Sequence, residues 1–292
     1  MSIRSKQLAS LILTCIVLSP FAAQAANPHF TAIYVFGDSY CDAGNLFAAA
    51  GVPGAPYYMG RFSDGPVFVE HIASAWGLPM TPSNLGGTDY AWGGAFVTAD
   101  QPLGPNAVIP SVPHQVLAYL KQHGGKADPN ALYILEGGGN DIIDAAGVGS
   151  PEQLGLEIAA GTASNELLLR RAGARNFLIP NLFNLAIVPE GGTFAAFNTA
   201  AAAAVNKNLA QFLQLEELFP GVHITHLDTF DLFQAVLTDA THFGFTDVTT
   251  ACFDEVTVPC NDPVHHMFWD HIHPTVFMHS FLAVSIQALY AH

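Results

Sequence analysis

The chain has 292 residues, with 24 Asp plus Glu against 9 Lys plus Arg and a formal net charge of −15. That acid excess disfavours nucleic acid as a partner and strong electrostatic adhesion to anionic lipid, so a membrane substrate would be reached through apolar contacts. With 50% hydrophobic residues, and no linker or internal repeat, the chain suits one large α/β domain rather than two.

Residues 1–25 read as a cleaved secretory signal, in which Arg4 and Lys6 precede an apolar stretch over 8–18 and Ala23-Gln24-Ala25 forms the cleavage signature. The apolar stretch is too short to span a bilayer. The expected mature chain is a single domain over 26–292, located in the periplasm or outside the cell, with no transmembrane anchor.

Residues 30–36 form an apolar run suited to a central strand buried on both faces, and its end delivers Asp38 and Ser39 to the next loop. Helical spacing follows over 66–76 with Gly77 as a stop, and again over 112–123, closed by Gly124-Gly125. A second buried strand over 131–135 leads into Gly137-Gly138-Gly139-Asn140. Then come a helix over 151–172 and a strand over 176–179, followed by a long alanine-rich helix over 195–219 that Gly221 ends. A strand over 222–227 and a helix over 230–237 follow, and a closing helix over 276–290 comes after Pro274. Strands alternating with helices imply βαβ units and a mostly parallel sheet, whose ligands bind beyond the strands' carboxyl ends. Ser39 and Asn140 each follow such an end.

Three residues have the chemistry of an activated nucleophile. A serine attacks only when a neutral imidazole takes its proton, and a carboxylate must hold that imidazole's tautomer. Ser39 supplies the hydroxyl, while Asp270 and His273, three residues apart on one loop, supply the carboxylate and the base. Taken singly, Asp38-Ser39 could merely cap a turn, and one histidine among 13 has a surface role by default.

The surrounding blocks give these residues a common context. Val35-Phe36-Gly37-Asp38-Ser39-Tyr40-Cys41-Asp42-Ala43-Gly44-Asn45 resembles the first block of the GDSL or SGNH esterases and lipases. Asp89-Tyr90-Ala91-Trp92-Gly93-Gly94-Ala95 resembles the second block, Gly138-Gly139-Asn140-Asp141 the third, and Phe268-Trp269-Asp270-His271-Ile272-His273-Pro274-Thr275 the last. Gly60-Arg61-Phe62-Ser63-Asp64-Gly65-Pro66-Val67 is similar to the branch containing bacterial phospholipases, acyltransferases and choline or lipid esterases. The resemblance implies a three-layer α/β/α, flavodoxin-like fold with a mostly parallel five-stranded sheet. It also implies a catalytic triad of Ser39, Asp270 and His273, with an oxyanion hole made by the backbone N–H of Ser39, that of Gly94 (or its neighbour Gly93) and the Asn140 amide. No cofactor is implied. Asp38 is expected to order the nucleophile loop and Asp141 the Asn140 turn. Tyr40 stands where the family has the Leu of its name, Cys41 where it has Ser and Asp89 where it commonly has Asn; none of these removes a reacting group, and substrate preference is what the resemblance defines least.

Three cysteines outlast signal cleavage. Cys252 and Cys260 are the expected disulfide, Cys260 lying where the resembling family often has a Cys, and Cys41 is left as a small buried residue. The implied function is a secreted serine hydrolase of carboxylic esters, with lipid esters as the leading substrate and acyl transfer as a further activity. Short-chain, choline or carbohydrate esters are alternatives on the same site, and a silent binding module is the reading of another class. A metal at His265, His266, Asp270, His271 and His273 is not expected, because no helical His-Glu-x-x-His motif accompanies them.

Overall fold

A computed structural model describes residues 28–105, 107–216 and 219–291; the expected signal over 1–25 lies outside them. In chain order the elements are β1 (Ile33–Phe36), α1 (Asn45–Ala50), α2 (Phe68–Ala75), β2 (Gln101–Gly104), β3 (Ala107–Ile109), α3 (Val112–Gln122), β4 (Leu132–Leu135) and α4 (Gly139–Asp144). There follow α5 (Pro151–Ala172), β5 (Asn176–Pro180), α6 (Ala195–Glu216), β6 (His223–Leu227), α7 (Thr229–Thr238), β7 (Asp247–Ala251), β8 (His266–Phe268) and α8 (Val276–Leu289).

The central sheet runs β1-β4-β5-β6 and is parallel throughout, with Phe36 opposite Leu135 and Ile134 opposite Leu178. Its fifth position, outside β1, is held by a single bridge in which Val35 N–H donates to Thr88 O at 3.2 Å and Tyr90 N–H donates to Val35 O at 2.8 Å. Counted with that segment, the strand order reverses between β1 and β4, and such a switch point opens a crevice at the strands' carboxyl ends. Helices cover both sides, α5 packing along α6 and α2 along α8. Two small sheets stand apart: β2 with β3, antiparallel, and β7 with β8, parallel.

Burial on both faces explains why the strands are nearly unbroken apolar runs: Ile33, Val35, Phe36, Leu132, Tyr133, Ile134, Phe177 and Leu178 are fully enclosed. Each such aliphatic or Phe side chain contributes about 1.5–3 kcal/mol relative to exposure. Helix starts follow local chemistry. Ser150 accepts from Gln153 N–H with Pro151 in the first turn of α5, and Asp228 accepts from Asp231 N–H at the start of α7.

One core group makes stability depend on pH. His279 of α8 is fully buried against Phe68, whose N–H donates to Nδ1 at 3.2 Å. Burial, with repulsion from His71 and His273, lowers its pKa to about 3. The folded protein thus holds this imidazole neutral, whereas the unfolded chain protonates it near 6.5. Its contribution is complete above about pH 6.5 and is lost progressively as pH falls toward 3. Between pH 7 and 4.5 this site should remove about 2–3 kcal/mol of stability. In urea unfolding, His279→Leu should show a shallower pH slope, whatever its stability at pH 7; an unchanged slope would clear His279 of the effect.

Candidate active site

Ser39 lies on the turn that leaves β1. Cys41 and Asp42 N–H groups both donate to Asp38 O, at 3.1 and 2.9 Å, and the Asp38 carboxylate accepts from Tyr40 N–H at 3.0 Å. The side chain of Asp38 therefore orders this loop and leaves the Ser39 hydroxyl to others. Two further carboxylates join the loop to the second block. Asp42 accepts from the N–H groups of Gly44, Asn45, Leu46 and Gly93, while Asp89 accepts from Ala43 and Ala91. Burial raises both acids, Asp89 well above the usual carboxylate range.

That bonding distinguishes the two adjacent glycines. Gly93 N–H is committed to Asp42 at 2.8 Å, whereas no acceptor meets Gly94 N–H or Ser39 N–H among the described residues. Gly94 has φ +76°, a left-handed conformation that glycine adopts without strain. The Asn140 amide donates one hydrogen to Ala95 O at 3.1 Å, and no acceptor meets its other hydrogen among the described residues. The preceding Gly138 has φ +107°, and a Cβ there would meet Ile158 at 2.6 Å. Asp141 differs from expectation. Its carboxylate reaches away from its own turn to bind Val97 N–H, Thr98 N–H and the Thr98 hydroxyl, tying the third block to the second.

His273 and Asp270 arrive from the loop before α8. His273 Nε2 lies 2.8 Å from Ser39 Oγ, and its Nδ1 lies 2.7 Å from Asp270 Oδ2. Asp270 Oδ1 accepts from the N–H groups of Ile272 and His273 at 2.8 and 2.7 Å. All three side chains are buried. Burial alone would raise the Asp270 carboxyl, but the His273 charge and these hydrogen bonds hold it down to about 2. For His273, burial lowers the pKa, yet the Asp270 charge and hydrogen bond prevail and the net shift is upward.

The 60–67 segment holds this loop in place. Ser63 Oγ donates to Pro274 O at 2.9 Å, the Asp64 carboxylate accepts from Val276 N–H at 2.6 Å, and the Phe62 ring lies 4.9 Å from the His273 ring. Tyr40 acts from the opposite side, its hydroxyl donating to Ile272 O at 2.9 Å.

Two further groups have no signal in the motifs. Tyr57 donates its hydroxyl to Asp270 Oδ2 at 2.7 Å. Glu136 accepts from Asp38 N–H at 3.3 Å and lies 3.5 Å from Cys41 Sγ. Burial and then the Glu136 charge push Asp38 well above its ordinary value. A charged residue placed directly after the apolar run 131–135 was the one available hint of Glu136. Cys41 is buried and its thiol is raised, first by burial and then by Glu136.

Cys252 and Cys260 form a disulfide whose Cα atoms are 4.9 Å apart. The nearby histidines diverge. His265 pairs with Asp262 at the surface and His266 Nδ1 contacts Asp262 O at 3.0 Å, while His273 faces Ser39. Cys252, Cys260 and His266 come close enough together to hold a metal, but both sulfurs are used in the disulfide.

A hydroxyl 2.8 Å from a carboxylate-held imidazole, in one cavity with the Asn140 side-chain amide, has the parts needed to attack a carbonyl and to donate to the oxyanion that forms. Comparison with known proteins agrees with hydrolysis of carboxylic esters. Lipase 1 of Photorhabdus luminescens is 29% identical over 202 residues, covering 68% of this chain and 29% of the relative. Phosphatidylcholine-sterol acyltransferase of Aeromonas hydrophila is 27% identical over 236 residues, covering 78% of this chain and 67% of the relative. The thermolabile hemolysin of Vibrio parahaemolyticus is 29% identical over 230 residues, covering 73% and 49%. The chain thus spans less than a third of the first of these relatives and about half of the third. The family described as GDSL-like Lipase/Acylhydrolase matches residues 33–286, nearly the whole of the described chain, and the chain belongs to that family.

Proposed function

We propose that this chain is a secreted serine hydrolase that cleaves carboxylic esters, lipid acyl esters foremost, through Ser39, His273 and Asp270. The observation that carries the reading is the unbroken series Ser39 Oγ, His273 and Asp270, at 2.8 and 2.7 Å, in a cavity that Ser39 shares with Asn140. His273 Nε2 takes the Ser39 proton as Oγ bonds to the ester carbonyl carbon. The oxyanion rests on Ser39 N–H, Gly94 N–H and the Asn140 amide. His273 then gives its proton to the departing alcohol as the C–O bond breaks, and water activated by the same imidazole releases the acid.

Lipid acyl groups are favoured by what surrounds Ser39. The cavity holding Ser39 and Asn140 is walled by Tyr40, Leu182, Phe183, Leu185 and Ile272. Tyr40, Leu182 and Phe183 also line a second cavity with Phe68, Leu227, Phe233 and Leu282, and Glu136, Asn181 and Thr229 are its polar lining. Walls that are apolar for the most part suit an acyl chain better than a sugar, most of whose hydroxyls would lack partners. Acceptance of an alcohol in place of water is the second reading, favoured by the name of the Aeromonas relative. Secretion of a single domain over 26–292, after loss of residues 1–25, is supported by the Cys252–Cys260 disulfide, which an oxidising compartment maintains. Among the described residues, no helix is long and apolar enough to cross a membrane.

A panel of lysophosphatidylcholine, phosphatidylcholine, short nitrophenyl esters, choline esters and acetylated sugars tests the substrate, and a serine-directed phosphonate tests the nucleophile. Turnover of the lipids with an adduct on Ser39 is expected. Absence of any adduct, with every ester left intact, would return the chain to a binding role. Asn140→Ala should lower turnover by about 10² to 10³ fold with little change in KM, because the lost donor acts on the transition state. A mutant that matches wild type would remove Asn140 from the oxyanion site.

A further inference from the structure

We propose that Tyr57 is a positioning residue for the ester hydrolysis, its phenol acting on the reacting atoms through Asp270. The inference rests on the reading of Ser39, His273 and Asp270 given above. Asp270 Oδ2 receives two hydrogen bonds, from His273 Nδ1 and from the Tyr57 hydroxyl, each at 2.7 Å. Oδ1 is already occupied by the Ile272 and His273 amides. Among the described residues, Tyr57 is therefore the one side chain other than His273 that bonds this carboxylate.

The phenol is suited to the task. Burial, followed by the Asp270 charge, pushes its pKa far upward, so it stays a proton donor across the working range. Its ring is wedged edge-on against Phe62, Phe253 and Trp269, with centroids 6.0, 5.8 and 6.2 Å away. Phe253 belongs to the loop closed by the disulfide and Trp269 directly precedes Asp270, while Phe62 packs on His273. The hydroxyl also lies 3.3 Å from Glu255 Oε1. With one proton and two acceptors, the shorter contact to Asp270 dominates.

Donation to Oδ2 draws charge from the carboxylate and limits how strongly it holds the His273 imidazolium. Among the described residues, the other charged or titratable groups facing His273 are Asp38 and Tyr40 from the nucleophile turn, Glu255 from the disulfide loop, Glu190 from the segment before α6 and His279 from α8. With Tyr57 absent, the concentrated charge on Oδ2 keeps the imidazole protonated to higher pH. The acid limb of kcat/KM moves toward alkaline pH, and protonated His273 gives up its proton to the leaving alcohol less readily.

The test is Tyr57→Phe in the full chain, which keeps the ring and removes only the hydroxyl. Expected are a fall in kcat of about tenfold, KM within about twofold, an alkaline shift of the acid limb, and a displaced downfield proton resonance of His273 Nδ1–H. Incorporation of 3-fluorotyrosine at position 57, a stronger donor of nearly the same size, should move the limb the opposite way. Glu255→Gln removes a charge that raises His273, so it should move the limb toward acid pH, opposite to Tyr57→Phe. An unchanged kcat, limb and resonance in Tyr57→Phe, or the same changes in Glu255→Gln, would overturn the inference while phosphonate labelling of Ser39 persists. Loss of that labelling in the wild-type protein would instead bring down the underlying reading.

Discussion

Ser39→Ala should reduce ester turnover by about 10⁶ fold, the scale on which removal of a triad nucleophile acts. The substitution deletes one buried oxygen whose single side-chain partner among the described residues is His273 Nε2 at 2.8 Å. Folding should change little, because the turn is held by backbone bonds to Asp38 O and by the Asp38 carboxylate, none of which use the hydroxyl. Substrate binding should persist, since the Ser39 and Gly94 amides, Asn140 and the apolar walls remain. Cys41 cannot take over, as its thiol is buried, raised in pKa and directed at Glu136. The phosphonate adduct should vanish in the variant. His273→Ala should cost nearly as much alone, and the double variant little more than either, because the two groups act as one unit. Activity of Ser39→Ala within tenfold of wild type, or an adduct on another residue, would reject the assignment.

How far the sequence anticipates this site depends on the kind of signal each residue carries. The strands β1, β4 and β5 are readable because a parallel strand buried on both faces needs a run such as Tyr34-Val35-Phe36 or Leu132-Tyr133-Ile134. Ser39, Asn140, Asp270 and His273 are readable because four ordered blocks constrain one another, and the chain's family membership establishes that resemblance. The long helices are also readable, their ends shifting by up to three residues, as frayed termini do. The fifth sheet position is not, because a single bridge at Val35 and Asp89 needs no apolar run. The six-residue helices α1 and α4 are too short for a periodic pattern to emerge.

Glu136, Tyr57 and Phe62 show a second limit. Each reaches the site across a long stretch of chain, Tyr57 meeting Asp270 at a separation of 213 residues. Nothing in local spacing reports such a contact. A loop tyrosine among Pro53, Pro56 and Tyr58 reads as surface until the structure closes the loop over the carboxylate. The choice between Gly93 and Gly94 is of the same kind, since both satisfy the motif. What separates them is the Asp42 carboxylate, which takes the Gly93 amide and leaves the Gly94 amide unpaired among the described residues.

Asp270→Asn should lower turnover by about 10⁴ fold while keeping shape and volume, because the wrong tautomer of the base is then stabilised. Asp270 Oδ2 accepts from Nδ1, so Nε2 is free to receive the Ser39 proton. An asparagine NH2 at that place donates to Nδ1 instead, which moves the ring proton to Nε2 and disables the base. The pH profile carries a second, independent signature. In the wild-type site the net shift of His273 is upward, so activity needing neutral imidazole is lost as pH falls through a value above the ordinary 6.5. With the Asp270 charge gone, burial is the main remaining influence and lowers the pKa, so the acid limb of the residual activity should move to lower pH. A large rate loss with an unmoved limb would place the effect of Asp270 in loop geometry, through its bonds to Ile272 and His273 N–H, rather than in its charge on the imidazole. The two outcomes separate because the asparagine side-chain oxygen can still accept those amide bonds while carrying no charge.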